Sequence, residues 1–320
     1  MTERMAQSAD RSVQARPRIR ELIYETPTLP SQTLGVKTGC DLWFKAENFQ
    51  LTGSFKMRGA ASKMTAMAPG QKLVTASSGN HGIAASRAAS LTGQDLTVVL
   101  PETVARAKLE KIQSFGVEII LHGAESGMAE MHAQSLAAGG KFTYVSPYND
   151  HDVIAGQGTI GLEVLEQVDR VDNIFIAMGG GGLISGIGSV LKSFGQGTRV
   201  IGVSAENSAA LAASMTAGKV VETQHLDTLA DGVAGGVDED SVTLPLARDV
   251  IDQVVHCTEV EIGAALKQLA VDENMLVEGA AALALAGFSQ ISDQLRGQTT
   301  VVLLCGANFD WTKVRPFINS

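Results

Sequence analysis

Cysteine is scarce: Cys40, Cys257 and Cys305 are the only three in 320 residues. An odd number at wide spacings excludes a disulfide framework, none has zinc-like spacing, and the pattern fits a reducing compartment. Aromatic residues make up only 5% of the chain, too few for a surface built on stacking rings. The formal charge of −9 with no dense Lys/Arg run excludes nucleic acid as a partner. No apolar run approaches the roughly 20 residues that span a bilayer. Residues 1–20 are polar with five arginines and lack the apolar core of a secretory signal, and Glu3 and Asp10 argue against a transit peptide. The six histidines form no metal-ligand cluster, and there is neither a linker nor a repeat. These absences lead us to expect a soluble cytoplasmic protein with no membrane partner.

What is present is 45% hydrophobic residues and 34 glycines, the composition of Val/Ile/Ala strands alternating with Ala-rich helices. After an N-terminal arm and a short helix near 18–24, the prolines of Thr26-Pro27-Thr28-Leu29-Pro30 impose extended backbone. From residue 72 the pattern predicts strand 72–76, helix 80–91, strand 96–100, helix 105–115, strand 117–121, helix 128–137 and strand 142–145. A second series follows Gly156: a helix to Val168, strand 173–177, a helix from Leu183, strand 199–204 and, near the end, strand 300–304. Short apolar runs alternating with 3.6-periodic segments are the mark of parallel βαβ units, so the expected class is α/β, with open, mostly parallel sheets flanked by helices. Two series imply two lobes with a ligand cleft between them.

Four stretches carry chemistry. Glu47-Asn48-Phe49-Gln50-Leu51-Thr52-Gly53-Ser54-Phe55-Lys56-Met57-Arg58-Gly59-Ala60 reads as the end of a strand over 42–45, a glycine turn, and a helix with Ser54 as N-cap. Lys56 then sits in a first helical turn, where unpaired N–H groups and the dipole disfavour a positive charge, and a partly neutral lysine is a nucleophile. Thr75-Ala76-Ser77-Ser78-Gly79-Asn80-His81-Gly82 leaves a strand and opens a helix, the position of an anion pocket, although Ser78 also serves as a plain N-cap and Asn80 as a turn former. Gly179-Gly180-Gly181-Gly182-Leu183-Ile184-Ser185-Gly186 leaves the backbone free to wrap a phosphate at a helix N-terminus. That turn also suits a nicotinamide dinucleotide with Glu206 on a ribose hydroxyl, which keeps an NAD-dependent oxidoreductase as a competing class. Cys305-Gly306-Ala307-Asn308 ends the last apolar strand, where side chains face a cleft.

Thr-Gly-Ser-Phe-Lys-x-Arg-Gly-Ala resembles the Schiff-base lysine motif of the fold-type II pyridoxal-phosphate enzymes, with threonine and serine dehydratases and serine racemase as near relatives. The resemblance runs from about Pro27 to Asn308 and includes His151-Asp152-Val153-Ile154-Ala155-Gly156-Gln157-Gly158-Thr159 and Ala230-Asp231-Gly232-Val233. It implies a two-lobed, tryptophan synthase β-like fold with the cofactor in the inter-lobe cleft. Residues 1–70 and 150–320 would form the large cofactor-binding domain, and 71–149 a small mobile one. It further implies pyridoxal 5′-phosphate bonded to Lys56, with Phe55, Asn80, Gly179, Gly180, Gly181, Gly182, Leu183 and Cys305 around it. Ser77, Ser78, Gly79, Asn80 and His81 would hold the substrate carboxylate, and in the racemases the residue matching Ser78 is the acid/base on the second face. A homodimer is usual in the family.

The expected activity is a dehydratase, an ammonia-lyase that turns a small β-hydroxy amino acid such as L-threonine or L-serine into a 2-oxo acid and ammonia. The alternatives are a serine- or aspartate-type racemase, or a dehydratase specialised for hydroxyaspartate or a hydroxyectoine-derived substrate. Two departures from the family pattern matter. Glu206 is followed by Ala210 and Ala212 instead of a second carboxylate, which makes a divalent-cation site doubtful and leaves Glu206 a weak candidate. Where serine racemase and hydroxyaspartate dehydratases carry an arginine, the loop reads Glu125-Ser126-Gly127, which weakens the case for a dicarboxylic substrate.

Overall fold

A computed structural model describes residues 1–318. The elements, in chain order, are α1 (Glu3–Ile19), β1 (Thr28–Pro30), α2 (Leu34–Thr38), β2 (Asp41–Lys45), α3 (Lys56–Ala66), β3 (Lys72–Ala76), α4 (Asn80–Thr92), β4 (Asp95–Leu100), α5 (Arg106–Gln113), β5 (Glu118–Leu121), α6 (Ser126–Ala138) and β6 (Thr143–Tyr144). They continue with α7 (His151–Gln167), β7 (Asn173–Ala177), α8 (Gly182–Phe194), β8 (Arg199–Ala205), α9 (Ala210–Ala217), α10 (Thr243–Val250), β9 (Gln253–Cys257), α11 (Glu259–Asp272), α12 (Gly279–Ile291), β10 (Thr299–Leu303) and α13 (Trp311–Ile318). Among the described residues no helix is long and apolar enough to cross a membrane.

Two sheets result. One has the order β1-β2-β10-β7-β8-β9 and the other β5-β4-β3-β6. Every pairing is parallel except β1 with β2. Parallel strands need crossover helices, and those helices cover the sheets and make the strands continuous apolar runs. Accordingly, Asn173–Ala177 is buried at every position. Helix α12 lies against β7, β8, β9 and β10, with Phe288 edge-on to Phe175 at 5.6 Å between ring centroids. Helices α7 and α8 pack closely because their contact is made of small residues: a Cβ on Gly186 would stand 2.4 Å from the Ile154 carbonyl oxygen. The smaller sheet has its own apolar cluster, which takes in Met57, Ala60, Ala61 and Met64 of α3.

The predicted strands are all present, with ends shifted by a few residues. Two local expectations fail. The N-terminal arm with a short helix at 18–24 is instead a helix from Glu3, whose buried stripe is Met5, Ser8, Ala9, Ser12, Ala15 and Ile19. Most of that stripe is Ala and Ser, so it has helical spacing without a hydrophobic signal. Ser54 is not an N-cap: its backbone is extended and forms a bridge to Gly306, its buried hydroxyl oxygen has no bonding partner among the described residues, and α3 begins after Phe55 without a side-chain cap.

Candidate active site

The turn that delivers Lys56 is stitched to the segment that follows β10. Phe55 N–H donates to the Cys305 carbonyl at 3.0 Å and Ala307 N–H to the Gly53 carbonyl at 2.9 Å. Asn308 Nδ2 donates to the Thr52 carbonyl at 2.7 Å, holding Thr52 in a left-handed conformation (φ 68°) that only a constrained turn retains. Residues far apart in sequence are thereby brought to one wall of a cavity of about 640 Å³.

Lys56, the first residue of α3, lines that cavity and donates from Nζ to the Pro147 carbonyl at 2.8 Å. Burial lowers its pKa to about 8 against the opposing pull of Cys305 and Glu278. The helix N-terminus acts in the same direction as burial. Phe55 and Cys305 are beside it on the lining; burial, with the Glu278 charge, pushes the Cys305 thiol well above its ordinary range and keeps it neutral. Ser77, Gly79, Asn80 and His81 at the start of α4 also line the cavity. Ser78 is not among the lining residues. The His81 ring is 4% exposed, with Nε2 3.0 Å from Thr75 Oγ1 and 3.1 Å from the Val145 carbonyl oxygen. Burial, reinforced by Lys56, holds its pKa down to about 3, so it is neutral and anchors β3 to the residue after β6.

Gly179, Gly180, Gly181 and Gly182, with Leu183, close the cavity on the α8 side. A Cβ would meet Val233 at 3.1 Å from Gly179, the Tyr148 ring at 2.5 Å from Gly180, Leu211 at 3.0 Å from Gly181 and the Tyr148 carbonyl oxygen at 2.9 Å from Gly182. Gly181 also has φ +89°, a conformation that only glycine adopts readily. The result is a bare backbone cradle at a helix N-terminus, the geometry that binds phosphate.

The sequence profile of the family described as pyridoxal-phosphate dependent enzyme matches residues 19–306. The chain belongs to that family. Its cofactor is pyridoxal 5′-phosphate, and membership removes the NAD-dependent oxidoreductase reading. Among relatives, the chain is similar to the catabolic L-threonine dehydratase of Staphylococcus aureus (strain USA300), 36% identical over 94% of this chain and 89% of that protein. Among solved structures it is similar to the processed form of threonine deaminase isoform 2 from Solanum lycopersicum, with a TM-score of 0.94 at 28% identity, covering 100% of this chain and 94% of that one. It is likewise similar to maize serine racemase, with a TM-score of 0.89 at 29% identity, covering 97% of this chain and 96% of that one. The cavity fits the cofactor: the amine, the cradle whose lining any side chain would obstruct, and the neutral thiol share one lining.

Glu278, which the sequence reading overlooked, is 3% exposed at the N-terminal edge of α12 and ties the site together. Its oxygens accept from Asn80 Nδ2 at 2.9 and 3.0 Å and from Asn308 N–H at 3.1 Å, and the Cys305 sulfur is 3.9 Å away. Asn308 Nδ2 in turn donates to Asn80 Oδ1 at 2.8 Å. Burial outweighs these bonds and raises the Glu278 pKa to about 7. The available signal was a single carboxylate directly ahead of the apolar run 279–288. Glu206 is exposed just after β8 and outside the cavity lining; among the described residues no group of three or more His, Cys, Asp or Glu is placed to hold a metal.

A pH prediction follows from Glu278. Between the ordinary carboxyl value of 4.5 and about 7, the native group keeps a proton that the unfolded chain has lost. Its contribution to stability therefore falls as pH rises through that window, by about 3 kcal/mol. Chemical denaturation of the cofactor-free chain from pH 4.5 to 8 is expected to show this decline, and Glu278→Gln is expected to flatten it.

Proposed function

We propose that the protein dehydrates a small β-hydroxy amino acid, with threonine and serine foremost, and releases a 2-oxo acid and ammonia. The observation that carries this reading is a partly neutral, half-buried amine sharing a cavity with a phosphate cradle and an uncharged thiol. Bound pyridoxal phosphate supplies a sink for the electron pair freed at the substrate's α-carbon. Lys56 would hold the cofactor, and its Nζ would take the α-proton as general base. The start of α4, residues 77–81, would orient the substrate carboxylate, with backbone donors at a helix N-terminus doing most of the work. Cys305, as a neutral thiol in place of a carboxylate, would leave the ring nitrogen without a strong charge partner, which favours prompt loss of the β-hydroxyl over a long-lived carbanion. Residues 71–149 would act as a mobile lobe that closes and keeps water out. The homodimer and the cytoplasmic location belong to the same proposal.

A racemase needs an acid on the second face, and Ser78, the residue in question, does not line the cavity. A hydroxyaspartate substrate would need a cation for its second carboxylate, and among the described residues Lys56 is the only Lys or Arg on the lining. The test is a panel of L-β-hydroxy amino acids incubated with the holoenzyme. Equal amounts of 2-oxo acid and ammonia are expected from at least one member. Conversion of L into D enantiomer without 2-oxo acid would replace this reading with the racemase.

A further inference from the structure

A second space of about 410 Å³ adjoins the catalytic cavity and shares Gln134 and Asp238 with it. This annex is lined by Gln134, Tyr144, Ser146, Asn149, Asp238, Glu239 and Asp240, and none of these is aliphatic or cationic. It borders the segment that receives Lys56, since Ser146 and Asn149 flank Pro147 and Tyr148.

The annex has formed polar walls. Asn149 Nδ2 donates to Asp238 at 3.1 Å and to Asp240 at 3.2 Å, while Asn149 Oδ1 accepts from Val242 N–H at 2.9 Å. Tyr148 accepts at its hydroxyl from Asp238 N–H at 2.9 Å. Ser146 is 6% exposed; its oxygen accepts from Tyr148 and Asn149 N–H groups, and among the described residues its own proton is given to no acceptor. From α6, Glu130 reaches the main cavity and accepts from the Tyr144 hydroxyl at 3.3 Å. Burial and the nearby Asp238 charge both raise the Glu130 pKa. Glu130 and Asp238 thus face the same space from different elements, and neither has a salt-bridge partner among the described residues. The main lining adds Asp231 and Glu278, and Lys56 is its single Lys or Arg among the described residues.

A hydroxymethyl or hydroxyethyl side chain would fill little of this space and would leave Glu130 and Asp238, both on the main lining, without a cation between them. We infer that the preferred substrate is a β-hydroxy amino acid whose side chain continues past the β-carbon and ends in an ammonium, held between Glu130 and Asp238 on the main lining, where the catalytic cavity meets the annex. This rests on the dehydratase reading and narrows its substrate class. Like charges that are partly desolvated destabilise each other, and a cation between them removes that cost while a carboxylate adds to it.

The decisive comparison is threonine against its 4-amino derivative, both diastereomers, with the holoenzyme. The two substrates differ by one amine. kcat/KM for the 4-amino compound is expected to exceed that for threonine by at least about tenfold, the equivalent of one partly buried ion pair. That ratio is expected to shrink in Asp238→Asn and in Glu130→Gln, each read against threonine in the same variant so that any general loss of activity cancels. A ratio of one or less in the wild-type enzyme, or a ratio that neither variant lowers, overturns the inference. Binding without turnover separates the two readings: L-2,4-diaminobutyrate and L-2-aminobutyrate both lack a β-hydroxyl, and each is titrated against the cofactor's absorbance in the wild-type holoenzyme. Tighter binding of the diamino acid with no 2-oxo acid from any β-hydroxy amino acid sinks the dehydratase and keeps the cationic preference. Turnover of threonine with equal binding of the two probes does the reverse.

Discussion

Lys56→Ala is expected to lower kcat for 2-oxo-acid release at least about 10³-fold, because in the proposed mechanism one substitution removes both the covalent anchor and the general base. The fold should survive it. Lys56 makes one described hydrogen bond, to the Pro147 carbonyl, and its amine is already destabilised as a cation by burial. The thermal midpoint is therefore expected to stay within about 3 °C of wild type. Two further measurements tie the loss to this side chain. The variant should lack the visible absorbance band of the lysine-bound cofactor, and borohydride reduction followed by peptide mapping should place the cofactor's mass on Lys56 in the wild type alone. Retention of activity by the variant would remove the basis of the functional proposal.

The largest effect on stability is expected two residues further along the same helix. Arg58 is fully buried and donates to Glu47 from Nε and Nη2, both at 2.8 Å, and to Glu163 from Nη1 at 2.5 Å and Nη2 at 2.8 Å. Lys45, equally buried, donates to Glu163 at 2.6 Å and to the Thr26 carbonyl at 2.6 Å. Two cations and two carboxylates balance, and the network joins α3 to β2 and α7. Arg58→Leu leaves Glu47 without its fork and Glu163 with only one cation, and is expected to cost about 3–5 kcal/mol in denaturant unfolding at pH 7. Arg58→Lys keeps the charge without the planar fork and should fall between the two.

The pH dependence gives this prediction its sign. In the wild type, burial alone would raise the Glu47 pKa, but Arg58 outweighs it and holds the value below the ordinary range. That contribution is present above the ordinary carboxyl range and is lost as pH falls through the lowered value. In Arg58→Leu, burial acts with less opposition, and the Glu47 carboxyl takes up its proton at higher pH than before. The gap between the two proteins is therefore expected to be widest near neutrality and to narrow as the solution is acidified. A gap independent of pH would mean that the loss comes from packing and not from the uncovered charges.

Much of the candidate site could be read from sequence because its parts are local. The lysine turn, the start of α4 and the glycine cradle each need a few adjacent residues of fixed type. Cys305 was legible because it ends an apolar strand. Glu278 was not, since a lone glutamate before a run of alanines has no pattern of its own. Only the packing of α12 under the site gives it Asn80 and Asn308 as partners. Helix α12 escaped for a related reason. Helix α12 is buried from Gly279 to Phe288, so it shows no polar face, and periodicity is visible only where one side of an element meets water.

The sequence by itself determined the α/β alternation, the amine proposed to carry the cofactor and the backbone that can wrap a phosphate, because backbone freedom and side-chain chemistry are properties of short segments. Tertiary structure alone decided which carboxylates surround that amine, how far each is from its own ordinary pKa, and that an acidic annex opens beside it. Those properties depend on desolvation and on distances between residues as far apart in the chain as Glu130 and Asp238, and no local pattern encodes either.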